Sequence, residues 1–345
     1  MMIVEAVLAR APVRIDLAGG TLDIWPINLA LGRPAVTVNA ALDLPVEARV
    51  RPTADGSIRL ASRDLGQEVT YADRSALELA LAEGRCPLAL LGLAARAADL
   101  DEGFALETHS PLPAGSGLGG SSALLGAVLG ALHAAAGRDI APHEIQPLAQ
   151  DVETALLGTP TGYQDYFPPL LGGCLALERR IGDLVVDRLP VDLDALAARL
   201  RLAYTGEPHV SGITNWGVVR AYLEGEATTV NALQAIAGHA ARVRAALAED
   251  DLDAAFEAIL ADGNARRTMA PGVSTPGIEA LDEAVRGAGA LGSKICGAGG
   301  GGCVLILLPN AEAGPAVDEA LAAGPWQPLP VGLVEAGLVV EPLAN

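Results

Sequence analysis

The sequence predicts a two-domain protein of mixed α and β structure, and three observations support this prediction. The chain has 345 residues, more than one ordinary hydrophobic core accommodates. Its first 75 residues are rich in strand patterns, such as the alternation of Val13, Ile15 and Leu17 with polar neighbours. From about residue 190 onwards, long stretches with helical periodicity dominate. We therefore expect a first domain over residues 1–185 and a second over residues 186–345.

Helices are predicted where apolar residues recur every three to four positions. In the first domain these stretches are Ser75–Leu100, Ala123–Ala136 and Pro142–Leu157. In the second domain they are Thr214–Leu223, Thr228–Ala248, Leu252–Thr268 and Thr275–Gly289. The segment Ala123–Ala136 is very apolar but falls well short of the ~20 residues that cross a bilayer. We therefore expect it to form a buried helix.

The composition argues against several classes of partner. Asp and Glu together number 42 against 23 for Lys and Arg, which gives a net charge of −19. This acid excess argues against nucleic acid and against anionic membrane surfaces, whereas a small anionic ligand stays compatible because local charges can oppose the global field. The four cysteines form no C-x-x-C pair, and the segment Met1–Val13 lacks the long apolar stretch of a signal peptide. We expect a protein of the reducing cytoplasm without a cysteine-based metal or redox site.

The most informative local feature is a glycine-rich loop, "LPAGSGLGGSSALLGAVLGAL", at residues 112–132. Its glycines formally match a dinucleotide fingerprint, but Pro111 and Pro113 interrupt the strand that should lead into it. A Walker loop needs Lys followed by Ser or Thr, and here Ser121 and Ser122 follow Gly120. A simple helix cap needs fewer glycines. We favour a loop whose backbone N–H groups bind phosphate at a helix N-terminus, with one serine hydroxyl available to Mg²⁺.

Three motifs in order along the chain carry a family resemblance. "PLPAGSGLGGSSAL" (residues 111–124) resembles the second motif of the galactokinase, homoserine, mevalonate and phosphomevalonate (GHMP) kinase superfamily. "RAPVRIDLAGGTLD" (residues 10–23) resembles its N-terminal motif in the version of the sugar kinases, and "SKICGAGGGGCVLI" (residues 293–306) resembles its C-terminal motif. The chain looks most like bacterial heptose 7-phosphate kinases and fucose-type sugar kinases.

The resemblance implies an α+β kinase of two lobes. The N-terminal lobe would be a mixed α/β lobe that carries the glycine-rich phosphate loop, and the C-terminal lobe would be ferredoxin-like, with ATP and substrate in the cleft between them. The implied activity is ATP- and Mg²⁺-dependent phosphorylation of a sugar or sugar-phosphate hydroxyl, the anomeric one by preference. The partner is then a small molecule, and the resemblance leaves open whether the chain forms a homo-oligomer.

The resemblance also assigns roles to individual residues. Asp165 would accept or orient the proton of the attacking hydroxyl, and Arg14 would stabilise both Asp165 and the transferred phosphoryl group. Ser122, or alternatively Ser121, and Glu153 would hold the metal, since relatives place a glutamate twelve residues before the aspartate. Residues assigned to ATP are Pro113, Ala114, Gly115, Ser116, Gly117, Leu118, Gly119, Gly120, Ser121, Ser122, Lys294 and Gly299. Lys294 is the only lysine of the chain, and we expect its charge near the transferred phosphate.

The acceptor pocket is expected around "GGTLD" and "TPTGYQD". Asp23 can accept hydrogen bonds from two adjacent hydroxyls, which suits a polyol better than an isoprenoid. Residues assigned to the acceptor are Gly20, Thr21, Asp23, Thr161, Gly162 and Gly297. The motif "AGGTLD" has one glycine fewer than the related kinases, and residues 206–219 lack their serine-rich run, so the sugar itself stays open. Two alternatives remain, a mevalonate-type kinase and a non-catalytic sugar and ATP sensor of the same fold.

Overall fold

The protein is described here from a computed structural model that covers residues 5–100, 103–208 and 211–343, with the backbone alone for residues 211–214. His209 and Val210 of the segment 206–219, and the first four residues of the N-terminal segment, lie outside the described residues. Within the described ranges, two β-sheets carry helices that pack on them, and no helix combines the length and the apolar character that a membrane span requires.

The first lobe is built on a sheet of eight strands. Its core strand, β1, spans Val7–Ala18, and all its residues except Arg10 are buried. The remaining elements of this lobe are α1 (Ile27–Ala30), β2 (Val36–Pro52), β3 (Ile58–Ser62), β4 (Gln67–Tyr71), α2 (Arg74–Ala82), α3 (Ala89–Ala97), β5 (Phe104–His109), α4 (Gly120–Ala135), α5 (Pro142–Leu157), α6 (Phe167–Leu171), β6 (Cys174–Arg180) and β7 (Asp183–Arg188).

The long strand β2 organises this sheet. Along its length it pairs antiparallel with β1, while its first part pairs with β6 and its last part with β5. The hairpin β3–β4 continues the sheet beyond β5, and β7 pairs with β6. The apolar helix α4 packs on β1 and β2, and 12 of its 16 residues are buried. It is the buried helix that the sequence predicts, and its first residue directly follows the glycine-rich loop.

The second lobe contains a four-stranded antiparallel sheet and most of the long helices. Its elements are α7 (Leu193–Ala198), β8 (Leu200–Tyr204), α8 (Ser211–Leu223), α9 (Ala227–Ala248), α10 (Leu252–Arg267), α11 (Pro276–Gly287), β9 (Gly292–Ile295), β10 (Cys303–Leu307), α12 (Gly314–Ala323) and β11 (Gln327–Leu329). The last strand of the chain, β12 (Val339–Pro342), is the eighth strand of the first sheet. The sheet order β11-β8-β10-β9 is that of a ferredoxin-like β-α-β-β-α-β unit, which confirms the predicted fold of this lobe.

The two lobes are not separate units along the chain. Strand β7 continues the first sheet to Arg188, so the expected limit between residues 185 and 186 falls inside a strand. Strand β12 returns from the second lobe and pairs with β1. One hydrophobic cluster contains residues of both lobes, including Phe256 and Leu305. We therefore propose a lobe boundary between β7 and β8, with β12 belonging to the first lobe.

The predicted helices agree with the observed ones within a few residues, with one exception. The stretch Ser75–Leu100 forms two helices, α2 and α3, and not one. Gly84 between them has a φ of +65°, a conformation that L side chains rarely adopt, and Pro87 follows it. The chain therefore turns between two helical segments that each bury one apolar face.

Candidate active site

A cleft with a volume of about 420 Å³ lies between the lobes. The first lobe contributes Arg14 of β1, the loop that follows β1, the glycine-rich loop and the segment around Asp165. The second lobe contributes Asn215, Arg266, Gly297 and Ala298. Most of the residues that the sequence assigns to a site line this cleft. They are Arg14, Thr21, Asp23, Pro113, Ala114, Gly115, Ser116, Gly117, Gly119, Gly120, Ser121, Glu153, Gly162, Asp165 and Gly297.

The glycine-rich loop ends in the N-terminus of α4. Gly115, Gly117 and Gly119 all have positive φ values, at +67°, +76° and +70°, which explains why this stretch repeats glycine at every second position. Gly119 is the N-cap residue, and the helix runs from Gly120 for 16 residues. A helix start leaves N–H groups without helical partners and carries partial positive charge. The loop therefore offers the cleft a site for anionic oxygen atoms.

Arg14 and Asp165 form an ion pair at the edge of this loop. The Nε and Nη2 atoms of Arg14 lie 2.9 and 2.7 Å from Oδ1 of Asp165, and its Nη1 donates to the carbonyl oxygen of Gly117 at 2.7 Å. Arg14 is 2% exposed, whereas the side chain of Asp165 is 32% exposed towards the cleft. Burial alone would lower the pKa of Arg14, but Asp165 and Asp16 raise it above its usual value. The pair thus holds a carboxylate and a permanent cation side by side.

Glu153 on α5 accepts three hydroxyl hydrogen bonds. Ser122 Oγ donates to it at 2.9 Å, Tyr166 OH donates at 2.5 Å, and Ser121 Oγ is a third donor. Burial and then the carboxylate of Glu153 raise the pKa of Tyr166, so the phenol stays a donor. Ser122 itself is buried behind the loop, and Ser121 faces the cleft. Sequence reasoning missed Tyr166, whose only signal was its position directly after Asp165.

Asp23 lies on the other side of Asp165. It is 2% exposed, and its Oδ2 accepts from the backbone N–H of Gln164 at 2.9 Å. Gly162 is required here, since a Cβ at this residue would lie 1.9 Å from Oδ2 of Asp23. Burial, and then the charge of Asp165, raise the pKa of Asp23 to about 7. A carboxyl group thus sits beside Asp165, ready to exchange a proton near neutral pH.

The second glycine loop meets the first one directly. A Cβ at Gly297 would lie 3.0 Å from the Cα and carbonyl oxygen atoms of Gly117. The N–H of Cys303 donates to the carbonyl oxygen of Ser116 at 2.7 Å. Gly299 lies farther along, where a Cβ would contact Val273, and it does not line the cleft. The approach of the two loops brings the C-terminal motif to the glycine-rich loop that precedes α4.

The placement of Lys294 corrects the expectation that its charge faces the transferred phosphate. Its side chain is fully buried, and its Nζ lies 3.2 Å from Oδ2 of Asp16 and 3.6 Å from Oδ2 of Asp262. It also donates to the carbonyl oxygen of Asp16 at 3.1 Å. A single cation between two buried carboxylates is held there by their charge, so it cannot reach the cleft.

Three other assigned residues also lie behind the cleft lining. Thr161 exchanges a hydrogen bond with Thr154 at 2.9 Å. Gly20 lies where a Cβ would meet Asp16 and Arg266, and Leu118 is fully buried and accepts from the N–H of Arg14 at 3.1 Å. These residues can support the site without lining it. Conversely, the cleft contains Gln164 and Arg266, which the sequence motifs do not single out.

The site can supply oxygen ligands to a divalent cation. Its donors are the carboxylate of Glu153 and the hydroxyl groups of Ser121 and Ser122, the oxygen-only set that Mg²⁺ prefers. Among the described residues there is no group of three or more His, Cys, Asp or Glu side chains that could hold a metal ion by itself. Few protein ligands are normal for Mg²⁺ that shares its coordination sphere with phosphates and water. The residues present therefore fit a metal that arrives with a nucleotide.

Comparisons with known proteins identify the family. Residues 86–173 match the model of the GHMP kinases N-terminal domain, and residues 243–325 match that of the GHMP kinases C-terminal domain. The galactokinase of Mycobacterium tuberculosis is 32% identical over 247 residues, which cover 63% of this chain and 67% of the relative. The mevalonate kinase of Thermococcus sibiricus is 29% identical over 359 residues, 98% of this chain and 99% of the relative.

A solved structure shows the same fold over the whole length. The D-glycero-D-manno-heptose 1-phosphate kinase from Bacteroides thetaiotaomicron superposes with a TM-score of 0.78 at 22% identity, and the match covers 98% of this chain and 100% of that one. The matched N-terminal domain includes the glycine-rich loop, Glu153 and Asp165. The matched C-terminal domain includes Arg266 and the strands β9 and β10, which flank the second glycine loop. The chain belongs to the GHMP kinase family, and it is an ATP-dependent phosphotransferase with an alcohol group as acceptor.

Proposed function

We propose that this kinase phosphorylates a hydroxyl group, the anomeric one by preference, of a sugar or sugar phosphate, with Mg²⁺ as cofactor. The observation that carries the proposal is the position of the buried carboxyl group of Asp23 beside the Arg14–Asp165 pair. Phosphoryl transfer needs positioning and charge neutralisation more than covalent chemistry from the protein. The cleft supplies each of these functions from a different element.

The nucleotide end of the cleft is proposed at the N-terminus of α4. The β- and γ-phosphate oxygens would accept hydrogen bonds from the loop 113–122, which three positive-φ glycines hold open towards the cleft. Glu153, Ser121 and Ser122 would hold Mg²⁺. The metal, when bound, neutralises charge on the phosphates. The carboxylate of Glu153 is already aligned for this role by its three hydroxyl donors.

The acceptor end is proposed between Asp23 and Asp165. An ionised Asp23 accepts hydrogen bonds from two adjacent hydroxyls, a pattern of a polyol. Asp165 accepts the proton of the attacking hydroxyl or holds that hydroxyl in line with the γ-phosphate. Arg14 pairs with Asp165 and adds positive charge next to the phosphoryl group. The names of the related galactokinase and heptose 1-phosphate kinase support a sugar acceptor.

A mevalonate-type activity is the second candidate. The full-length similarity to the Thermococcus mevalonate kinase favours it. The acceptor end is acidic, with Asp23 and Asp165 close together, and the two cleft arginines already bind protein groups. Mevalonate has no pair of adjacent hydroxyls that Asp23 could bind, whereas a sugar or sugar phosphate does. We therefore propose a sugar, and not mevalonate, as the acceptor.

The test is an ADP-release assay of the purified protein with MgATP against free sugars, sugar phosphates and mevalonate. We expect turnover with a sugar or sugar phosphate, and loss of that turnover in Asp165→Asn. Turnover with mevalonate alone would contradict the sugar assignment and leave the kinase assignment intact. If no acceptor reacts while a sugar and MgATP both raise the melting temperature, the protein is a sensor of the same fold.

The remaining expectations about location rest on the cysteines. All four are free thiols and buried, which is consistent with their packing as small apolar side chains in a reducing compartment. Burial raises the pKa of the Cys174 thiol to about 12, so this group is inert at neutral pH. We propose the cytoplasm as the site of action, and fractionation of the source cells tests it.

A further inference from the structure

Thr21, in the acceptor loop at residues 19–23, has a strained backbone. Its φ is +78°, a region that β-branched residues rarely adopt. The residue is 3% exposed and lines the cleft two positions before Asp23. Strain of this kind persists only where surrounding contacts impose it. The contacts that impose it here come from the other lobe.

Arg266 on α10 supplies these contacts. Its Nη1 donates to the carbonyl oxygen of Gly20 at 2.9 Å, and its Nη2 donates to Oγ1 of Thr21 at 3.2 Å and to the carbonyl oxygen of Gly297 at 2.5 Å. One turn earlier on α10, Asp262 accepts from the N–H of Gly19 at 3.0 Å. A single guanidinium group thus joins the acceptor loop to the second glycine loop.

The contacts require an arginine at residue 266 and a glycine at residue 20. Arg266 is 1% exposed, and its planar fork reaches three oxygen acceptors, which an ammonium point charge on a flexible stem cannot match. A Cβ at Gly20 would lie 2.2 Å from Oδ2 of Asp16 and 2.8 Å from Nη1 of Arg266. Asp16 is held ionised because Lys294, Arg266 and Arg14 outweigh burial and lower its pKa. The buried charges therefore keep the guanidinium group in place.

We propose that Arg266 is a positioning residue for phosphoryl transfer, which fixes the acceptor loop in its strained conformation and so sets where the acceptor hydroxyl lies relative to Asp165. This inference rests on the proposed acceptor site. The hydrogen bonds of Arg266 go to Gly20, Thr21 and Gly297, whereas Arg14 and Cys303 bind the nucleotide loop directly, through Gly117 and Ser116. Loss of the guanidinium group of Arg266 should therefore lower kcat/KM for the acceptor and leave the KM for MgATP nearly unchanged.

The kinetic test compares Arg266→Lys with Arg267→Lys. The guanidinium group of Arg267 binds Ser293 Oγ at 3.1 Å and Glu279, and it does not line the cleft, which makes it a matched control. We expect Arg266→Lys to lower kcat/KM for the acceptor by ~10- to 100-fold, because small misplacements of reacting groups have effects of this size. The KM for MgATP should stay within about twofold. An equal rise of the KM for both substrates, or no loss of kcat/KM for the acceptor, would overturn the proposal.

A second measurement does not need an identified acceptor. Amide hydrogen exchange reports the loop directly, since the N–H of Leu22 donates to Gly19 and that of Ile24 donates to Thr21. We expect faster exchange of these two amides in Arg266→Lys and unchanged exchange in Arg267→Lys. Unchanged exchange in both variants refutes the positioning role. If no acceptor reacts with the wild-type protein, the proposed function fails, while this readout still decides the role of Arg266.

Thr21→Val keeps the test decisive if Arg266→Lys does not fold. The substitution preserves side-chain shape and removes only the Oγ1 acceptor of Arg266. We expect a raised KM for the acceptor, an unchanged KM for MgATP and faster exchange at Ile24. An unchanged acceptor KM would contradict the proposed link between Arg266 and the loop.

Discussion

At the scale of single residues, the orientation of Asp165 follows from Arg14. Nε and Nη2 of Arg14 both contact Oδ1 of Asp165, at 2.9 and 2.7 Å, so Oδ2 is the atom available to an acceptor hydroxyl. Arg14 is buried and also bound to the carbonyl oxygen of Gly117, so it cannot follow Asp165 if that side chain moves. The pair therefore presents the carboxylate in one orientation to the cleft.

Asp165→Asn should abolish most of the turnover and leave nucleotide binding intact. The amide cannot accept a proton, and a lost proton-transfer or orienting group typically lowers kcat by 10²- to 10⁴-fold. Steady-state kinetics and the rise of melting temperature with MgATP measure the two effects separately. Asp151→Asn, at an exposed carboxylate of α5, is the control and should behave like wild type. A kcat of Asp165→Asn within tenfold of wild type would contradict the role.

Asp23 should make acceptor binding depend on pH. Burial and the charge of Asp165 raise its pKa to about 7, so the group is mostly protonated at pH 6 and mostly ionised at pH 8. Only the ionised form accepts hydrogen bonds from two hydroxyls with both oxygens. We expect the KM for the acceptor to fall as pH rises from 6 to 8. In Asp23→Asn the KM should be higher and lose this dependence; a wild-type KM that rises with pH would exclude the mechanism.

At the scale of elements, the glycine-rich loop before α4 depends on backbone conformation as much as on side chains. Gly119 has a φ of +70°, and a Cβ there would lie 3.2 Å from Cγ of Arg14. Gly158, which ends α5, has a φ of +64° and no atom within 4 Å of its Cβ position. The two glycines share the same backbone requirement, and only the first belongs to the cleft.

Gly119→Ala and Gly158→Ala therefore separate strain from function. Each substitution places an L side chain at positive φ, and both should lower stability by about 1 kcal/mol. Only Gly119→Ala should raise the KM for MgATP, since its Cβ presses on Arg14 and displaces the loop. Chemical denaturation and nucleotide kinetics measure the two effects. A similar KM for MgATP in both variants would mean that the loop does not bind phosphate.

The elements also show which features a sequence reveals. The phosphate loop and α4 were predictable because a glycine at alternate positions followed by an apolar run is a local signal. Asp165 and Glu153 could be named only through their spacing within a family pattern. The only signal for Tyr166 was its position next to Asp165, and Arg266 carried none, since its role arises from a contact with Thr21, far away in the chain. The predicted position of Lys294 in the cleft was wrong because its partners, Asp16 and Asp262, are distant from it in sequence.

At the scale of the whole molecule, a buried ion cluster joins the lobes. Asp16 lies on β1, Asp262 on α10 and Lys294 on β9, and all three are fully buried. Burial raises the pKa of Asp262 even with Lys294 beside it, whereas three cations lower that of Asp16. The cluster therefore carries opposite charges that stabilise each other only while the lobes are packed together.

Lys294→Met should destabilise the protein strongly and in a pH-dependent way. Removing one partner of a buried ion pair typically costs about 3–5 kcal/mol, because a buried charge stays uncompensated. Burial already raises the folded-state pKa of Asp262 above its unfolded value, and removal of Lys294 raises it further. The unfolded chain then binds fewer protons at neutral pH, so the loss of stability should shrink as pH falls from 8 to 5. Urea unfolding at both pH values measures this; a loss independent of pH would argue against the charge explanation.

Lys294 also provides a probe of how the lobes separate. As the only lysine of the chain, and with no exposed surface, its amine can react with an acylating reagent only after the cluster opens. The α-amino group at the N-terminus reacts independently and serves as the internal reference. If MgATP and the acceptor bind only the closed molecule, ligand at 100 times its Kd should slow labelling of Lys294 by about 100-fold. Mass spectrometry of the peptide that contains Lys294 follows the rate. Labelling that ligands leave unchanged would mean that the cluster opens without opening the cleft, and that the lobes are joined elsewhere.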